Sequence, residues 1–401
     1  MEKTEEIRLS LSQLQKGITV KLPLSWTDHP FLFNKIEIIS DAQINMIRQL
    51  GVPYVILLSG TLENAAEPLV AESNVSQPAE ILPALDKLAR KHLRQSQSQF
   101  INALNGIRGG FGKVVSDPEG ASREISVLVE TMLTQLLDAD TAHLALVISG
   151  ESRPTATQHG VSVAVLSMMM GKALQLPKPA LRTLATGALL HDIGKLRIPP
   201  AIRNKRGALT TPEKNFIAMH PTYGHELLKR GGMFSDEVLD IVWHHHEFMD
   251  GSGYPDGLDS GKLPLTTQIV ALVNDYDNLL WRDEMVSPQV ALGYLFKNRV
   301  KQHSDTLIQA LVKILGVYPP GTLVQLTDDS LAKVVVTTNN VMQPLVWCCQ
   351  RDGKKGCYRI LSEEETSIAR ALKVEELSEN AKKTLRLDAG ISFYFCQSGT
   401  C

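Results

Sequence analysis

The chain has 401 residues, of which 43% are hydrophobic and 21% charged, and its formal net charge is −2. That length accommodates two or three domains with full cores, and the near-neutral balance gives no reason to expect DNA or an anionic membrane surface as a partner. No apolar run approaches the roughly 20 residues of a membrane span, and the opening MEKTEEIRLS lacks a signal peptide's apolar stretch, so a cytoplasmic location is expected.

Residues 1–71 read as a small α+β N-terminal domain. IRLSLSQL and ITVKLPL alternate or run apolar over strand-length stretches, and VPYVILL has the look of a buried strand. Between them SDAQINMIRQLG starts with a Ser/Asp cap, repeats Ile44, Ile47 and Leu50 at helical spacing and stops at Gly51. Residues 72–150 are assigned to a linker and helical segment. AAEPLVAESNVSQPAE, polar with two prolines, marks the linker, and a helical pattern follows from about Pro83 to Ile148. The glycines and proline of NGIRGGFGKVVSDPEG predict a turn between two helices there. Residues 151–320 are strongly helical with short Pro/Gly interruptions, and residues 321–401 change character. GTLVQLTDD, LAKVVVTT and PLVWCCQ predict a β-rich C-terminal subdomain, so the fold class is mainly α with a helical bundle at its centre.

Cysteine and histidine are distributed very differently. All five cysteines (Cys348, Cys349, Cys357, Cys396 and Cys401) lie near the C-terminus. Their odd number and the lack of a CxxC pair argue against a disulfide framework or a structural zinc site, and the reduced state is expected. Seven of the eleven histidines fall between His159 and His246, which directs the search for chemistry to that region.

In ALRTLATGALLHDIGKLRIPP, the leucines 181, 184, 189 and 190 predict a buried helix that delivers His191-Asp192 near its end, before Gly194 and Pro199-Pro200 terminate it. An unpaired carboxylate there is costly to bury, and a cation removes the cost. Next, LTTPEKNFIAMHPTYGHELLKRGG has a Thr cap at 210 or 211, Pro212 in the first turn and His220 before a second proline. SDEVLDIVWHHHEFMDGSGYPDGL is a Ser-capped helix ending in three histidines and a Gly-rich turn. Successive helical residues point about 100° apart, so the three histidines cannot share one site, but two can if the helix ends between them. TTQIVALVNDYDNLLW then predicts an amphipathic helix with Asn274, Asp275 and Asp277 at its middle.

Taken in order, His159, His191-Asp192-Ile-Gly-Lys195, His220-Pro, His245-His246-Glu247 and Asp250-Gly-Ser-Gly253-Tyr254-Pro255 resemble the signature of the HD-GYP family, over roughly residues 151–320. The first 70 residues, with Trp26, His29-Pro30-Phe31 and Ser40-Asp-Ala-Gln-Ile44, also resemble a small domain often found ahead of HD-GYP domains. The resemblance implies an HD-type helical bundle that holds metal ions and hydrolyses cyclic di-GMP to linear pGpG, with GMP as a further product. A phosphodiester is anionic and resists hydroxide, and a metal pair both clamps its oxygens and lowers the pKa of bound water. By resemblance, His159, His191 and Asp192 bind one ion, His220, His245 and His246 the other, and Asp192 bridges them. Lys195 neutralises a phosphate oxygen, and Gly253 and Tyr254 border the ligand. Thiolate-free ligation suits iron, manganese, nickel, cobalt or zinc, and the family precedent favours iron or manganese.

Three departures stand out. The family's last ligand is an aspartate, whereas the aligned position here is Asn274, with Asp275 beside it but rotated about 100° away. The Arg-Pro-Tyr segment that grips the dinucleotide phosphates is replaced by Leu280-Trp281-Arg282-Asp283-Glu284, leaving Arg282 as an approximate counterpart. Thr155 stands where three-metal members carry a glutamate, so two ions are expected. The alternative is a degenerate HD-GYP that acts as a cyclic di-GMP receptor or interaction module with little turnover. Diguanylate cyclases of the GGDEF type are the partners the resemblance implies, and the N-terminal unit with the helices after it could form a homodimer.

Overall fold

In the computed structural model, the residues described are 8–22, 35–38, 43–44, 47–48, 52, 54–59, 81–138, 142–149, 154–203, 205, 207–282 and 287–397. The N-terminal unit contains four strands, β1 (Arg8–Leu9), β2 (Thr19–Lys21), β3 (Lys35–Glu37) and β4 (Val55–Ser59), in the sheet order β1-β4-β2-β3. Leu9, Ile18, Val20, Leu22, Ile38, Ile47 and Val55 close a core of its own. Trp26, His29, Pro30 and Phe31 lie outside the described residues.

Two long helices follow, α1 (Ile81–Lys113) and α2 (Pro118–Leu137). The expected turn falls inside the predicted segment, at residues 114–117, and α1 runs on through Gly106, Gly109, Gly110 and Gly112 before it. Packing overrides glycine's weak helix propensity here. A Cβ on Gly110 would lie 2.8 Å from Ile125 Cδ1 and one on Gly109 2.4 Å from Glu124 Oε2, so the glycines let α1 approach α2 closely. Asp117 accepts from the Gly120 amide and caps α2, with Pro118 in its first turn.

The helical reading to Ile148 is also corrected. Residues Ala142–Ser149 form strand β5, paired along its length with the last strand, β11 (Gly390–Gln397). AHLALVIS acquires its conformation from a partner some 240 residues away in sequence, which no local pattern announces. Between these two strands in the chain come α3 (Ala156–Ala173), α4 (Lys178–Leu190), α5 (Thr211–Ala218), α6 (His220–Gly231), α7 (Asp236–His244), α8 (Leu265–Leu279), α9 (Pro288–Asn298) and α10 (Asp305–Leu315). Strands β6 (Leu323–Leu326), β7 (Leu331–Val336), β8 (Leu345–Cys349), β9 (Cys357–Ile360) and β10 (Ile368–Ala371) complete a seven-stranded sheet.

Helix α3 is the axis of the bundle. It is buried continuously from Gln158 to Gly171 and packed by α1, α4, α8 and β11. Leu144, Val147, Phe393, Tyr394 and Phe395 enter the same core as its valines and Met168, Met169 and Met170. The C-terminal strands are therefore fused to the bundle through β5 and β11 rather than standing apart from it.

Candidate metal centre

The predicted histidine and aspartate ligands are delivered by helix ends, whereas Asn274 stands within α8. Thr155 caps α3 in a reciprocal box with Gln158, which fixes the first turn carrying His159. Helix α4 ends at Leu190, so His191 and Asp192 emerge at its C-terminus and a 3-10 turn, Ile193–Arg197, leads the chain away. Thr210 and Glu213 make a second capping box for α5, and His220 opens α6 ahead of Pro221. Helix α7 stops at His244, which separates the three histidines. His244 turns to Asp240 and Asp256, at 2.8 and 3.1 Å, while His245 and His246 face inward.

Two trios result. One donor atom from each of His159, His191 and Asp192 lies within 4.8 Å of the others, and so do those of His220, His245 and His246. Asp192 sits between them: its Oδ2 is 3.7 Å from His159 Nε2 and 3.6 Å from His191 Nε2, while its Oδ1 is 3.1 Å from His220 Nε2 and 3.9 Å from His245 Nε2. Lys195 Nζ donates to Asp192 Oδ2 at 2.6 Å.

Proton placement shows what this arrangement fits. His191, His220 and His245 each turn Nδ1 to a backbone carbonyl, of Ala188, Ile217 and Val242, at 2.7, 2.8 and 2.9 Å. A carbonyl only accepts, so Nδ1 carries the hydrogen and Nε2 presents a lone pair. His159 Nδ1 likewise donates to Asp277 Oδ2 at 2.6 Å. Yet His159 Nε2 faces His191 Nε2 at 3.1 Å and Asn274 Oδ1 at 3.0 Å, and His220 Nε2 faces His245 Nε2 at 3.0 Å. Acceptor meets acceptor in both trios, an arrangement that a bound metal ion or an added proton satisfies. Donors of this kind sit about 2.0–2.2 Å from a divalent ion, and the buried, hydrogen-bonded far nitrogens are what hold metal-binding imidazoles in register.

The electrostatics agree. Burial lowers His191 to about 4 and holds His245 and His246 well below the usual imidazole value, so these rings stay neutral and ready to ligate. Burial also works against a charged His159, but Asp277 outweighs it and raises that pKa, so in metal-free protein a proton can occupy the place of the ion. Burial alone would raise Asp192, but Lys195, His191 and His220 together hold its carboxyl well below the normal range.

Asn274 and Asp275 diverge as the helical rotation predicts. The Asn274 carboxamide oxygen points at His159 and accepts from Asn278 Nδ2 at 2.8 Å. Asp275 faces away, toward His303 Nε2 at 3.1 Å and Arg299 Nε at 3.3 Å. Arg282 is exposed beyond the end of α8, and Asp283 and Glu284 lie outside the described residues. His225 is not brought to the site; its ring stacks on Trp243 at 4.2 Å.

The glycines at the centre are steric requirements. A Cβ on Gly253 would fall 2.4 Å from Glu247 Cα and 2.6 Å from the His246 carbonyl oxygen. That close approach lets Tyr254 stack on His246, with centroids 4.7 Å apart and planes at 15°. Sequence reasoning assigned Glu247 no role, although an acid between the histidines and a Gly-rich turn is a signal. Its carboxylate is buried and accepts from the amides of Asp256, Gly257 and Leu258 at 2.6, 3.0 and 3.0 Å. Glu247→Ala leaves three amides without that acceptor. We expect a stability loss of about 3 kcal/mol and faster amide hydrogen exchange at residues 256–258, read by mass spectrometry. Exchange at wild-type rates there would remove Glu247 as the anchor of the loop. Asp277, placed mid-helix by the sequence but given no function, is the acceptor that sets the His159 tautomer.

A helical bundle that gathers a His/His/Asp trio and a three-histidine trio around one aspartate defines a metal-dependent hydrolase of the HD type. Comparison with known proteins agrees. The family described as "HD domain" matches residues 145–308, and the "Domain of unknown function (DUF3391)" matches residues 6–125. The cyclic di-GMP phosphodiesterase PA4108 of Pseudomonas aeruginosa is 31% identical over 336 residues, covering 82% of this chain and 81% of that protein. The cyclic di-GMP phosphodiesterase response regulator RpfG of Xanthomonas campestris pv. campestris is 36% identical over 149 residues, 36% of this chain and 39% of that protein. A 3'3'-cGAMP-specific phosphodiesterase (phosphodiesterase 2) of Vibrio cholerae is 30% identical over 157 residues, 37% of this chain and 30% of that protein. The chain belongs to the HD-GYP family and is a metal-dependent phosphodiesterase, with the DUF3391 domain at its N-terminal side. Among the described residues no helix is long and apolar enough to cross a membrane.

Proposed function

We propose that the protein hydrolyses cyclic di-GMP to pGpG, and onward to GMP, at a dinuclear centre. The observation that carries this reading is Asp192, with one oxygen turned to each histidine pair. His159, His191, Asp192 and Asn274 would hold one ion, and His220, His245, His246 and Asp192 the other. When bound, such a pair neutralises the phosphodiester and lowers the pKa of water beside it, and iron or manganese suits this thiolate-free donor set.

The chain's own residues supply the rest. Lys195, about one third exposed, can turn from Asp192 to a phosphate oxygen. Burial, and then the Asp192 charge, raise the Tyr254 phenol far above neutrality, so it remains an O–H donor at the edge of the site. Gly253 keeps the turn against His246, and Arg282 is the basic group available for the distal phosphate. We assign a cytoplasmic location, a homodimer through the N-terminal half, and a GGDEF-type cyclase as the partner of the GYP surface.

The deciding experiment is turnover of cyclic di-GMP, beside other cyclic dinucleotides, by protein purified anaerobically with iron or manganese, with elemental analysis of the same sample. Release of pGpG from cyclic di-GMP supports the proposal. Preference for another cyclic dinucleotide changes the substrate, and tight binding without turnover makes the protein a receptor. Asn274→Asp tests the neutral ligand separately. Another carboxylate beside Asp192 and Asp277 should destabilise the metal-free protein by about 1–3 kcal/mol. The same charge should tighten metal binding at the His159 site about tenfold or more, measured by competition with a chelator. Unchanged affinity would remove residue 274 from the ligand set.

A further inference from the structure

The C-terminal sheet holds a second group of reactive side chains, remote in sequence from the histidines. Cys348 in β8 and Cys357 in β9 are directly opposed partners in an antiparallel register that also pairs Trp347 with Tyr358 and Val346 with Arg359. Opposed residues in such a pair have Cα atoms about 4.5–5.5 Å apart, within the range a disulfide bridges. Both side chains emerge on the same face, and their Sγ atoms lie 3.4 Å apart. Forming the bond requires side-chain rotation alone.

The two thiols differ in character. Cys348 is buried, whereas Cys357 is part-exposed and open to a small reagent. The Cys348 sulfhydryl beside it, and then the Arg359 guanidinium, hold Cys357 down to about 7, against the effect of burial. Cys348 is pushed up by its bond to Cys357 and by burial. One thiol is thus an accessible nucleophile and its neighbour a protonated resolving partner. The remaining described cysteines are placed out of reach. Cys349, next along β8, faces the opposite side and packs with Leu323, Leu331 and Leu385, and Cys396 is buried with Ala145 and Val336.

We propose that Cys348 and Cys357 form a peroxide-reactive dithiol, an oxidative modification site that closes to a disulfide within the folded sheet. The Cys357 thiolate attacks one oxygen of a hydroperoxide, the O–O bond breaks, and Cys357 sulfenic acid and hydroxide (or alkoxide) result. The Cys348 sulfur then displaces hydroxide from that sulfenic acid and loses its proton, so the S–S bond forms and water leaves. Two thiols are oxidised by two electrons and one peroxide is reduced. A dithiol such as dithiothreitol reverses the change by exchange.

Treating the full-length protein with one equivalent of hydrogen peroxide, alkylating the remaining thiols and digesting with trypsin tests this directly. Arg351, Lys354 and Lys355 lie between the two cysteines, so the peptides separate unless a disulfide joins them. The expected product is the Cys348–Cys357 cross-link, with Cys349 and Cys396 alkylated and the cross-link lost on reduction. In Cys348→Ser, Cys357 should stop at the sulfenic acid and be trapped by dimedone. Free thiols at both positions after peroxide, a cross-link through Cys349 or Cys396, or dimedone labelling away from Cys357 would each overturn the proposal.

Discussion

Asp192→Asn should abolish metal loading and turnover while leaving the fold intact. The substitution preserves shape and removes the one negative charge that both histidine pairs address, at 3.1–3.9 Å from four Nε2 atoms. An asparagine also presents an NH2 group to one pair, where a donor hydrogen occupies the space of an ion. Losing several kcal/mol of charge stabilisation corresponds to a fall of about 10³-fold in turnover. The metal content of the purified protein should fall with it. Lys195, part-exposed, returns to water when its partner is neutralised, so the melting temperature of metal-free protein should stay within a few degrees of wild type. Full metal content in Asp192→Asn would refute the bridging role, and a collapsed melting transition would assign Asp192 to the fold instead.

The same aspartate shows which features of this protein were legible in its sequence. His191-Asp192 could be placed at the end of a buried helix because apolar periodicity, Gly194 and two prolines are all local signals. Helical geometry required the helix to end among the three histidines if two of them were to share a site, and α7 ends at His244. Asn274 and Asp275 also separated as a rotation of about 100° requires, one toward His159 and the other toward Arg299 and His303. What escaped the sequence was non-local. Strand β5 depends on β11 at the far end of the chain, and its eight residues carry no turn chemistry to distinguish them from the helices before them. The glycines of α1 read as a turn because a glycine's missing side chain has two uses, and only the neighbouring helix shows that here it is close packing. Glu247 and Asp277 were seen but not understood, since what they bind are backbone amides of a later loop and a histidine 118 positions earlier. Cys348 and Cys357 were read as separate reduced thiols because register, which sets them face to face, is a property of the pair of strands.

Gly194→Ala should disable the site through backbone geometry, without altering any proposed ligand side chain. A Cβ at 194 would lie 1.9 Å from the His220 carbonyl oxygen, 2.5 Å from the Gly224 amide nitrogen and 2.9 Å from the His220 carbonyl carbon. All three are main-chain atoms of α6, so no side chain can swing aside. The turn bearing Asp192 and the helix bearing His220 must therefore part by about an ångström, and overpacking of this kind costs about 1–3 kcal/mol. The larger consequence is positional. His191 and Asp192 stand on one side of that contact and His220 on the other, with 3.1 Å between Asp192 Oδ1 and His220 Nε2. A displacement of about 1 Å in a preorganised site costs about 10²-fold in rate, so turnover should fall far more than stability. Gly112→Ala is the matched control, since its Cβ meets nothing within 4 Å on helix α1 and should raise stability by about 0.5 kcal/mol. If Gly194→Ala retains wild-type turnover and metal affinity, the close packing of the His191-Asp192 turn on α6 is not what holds the two trios together.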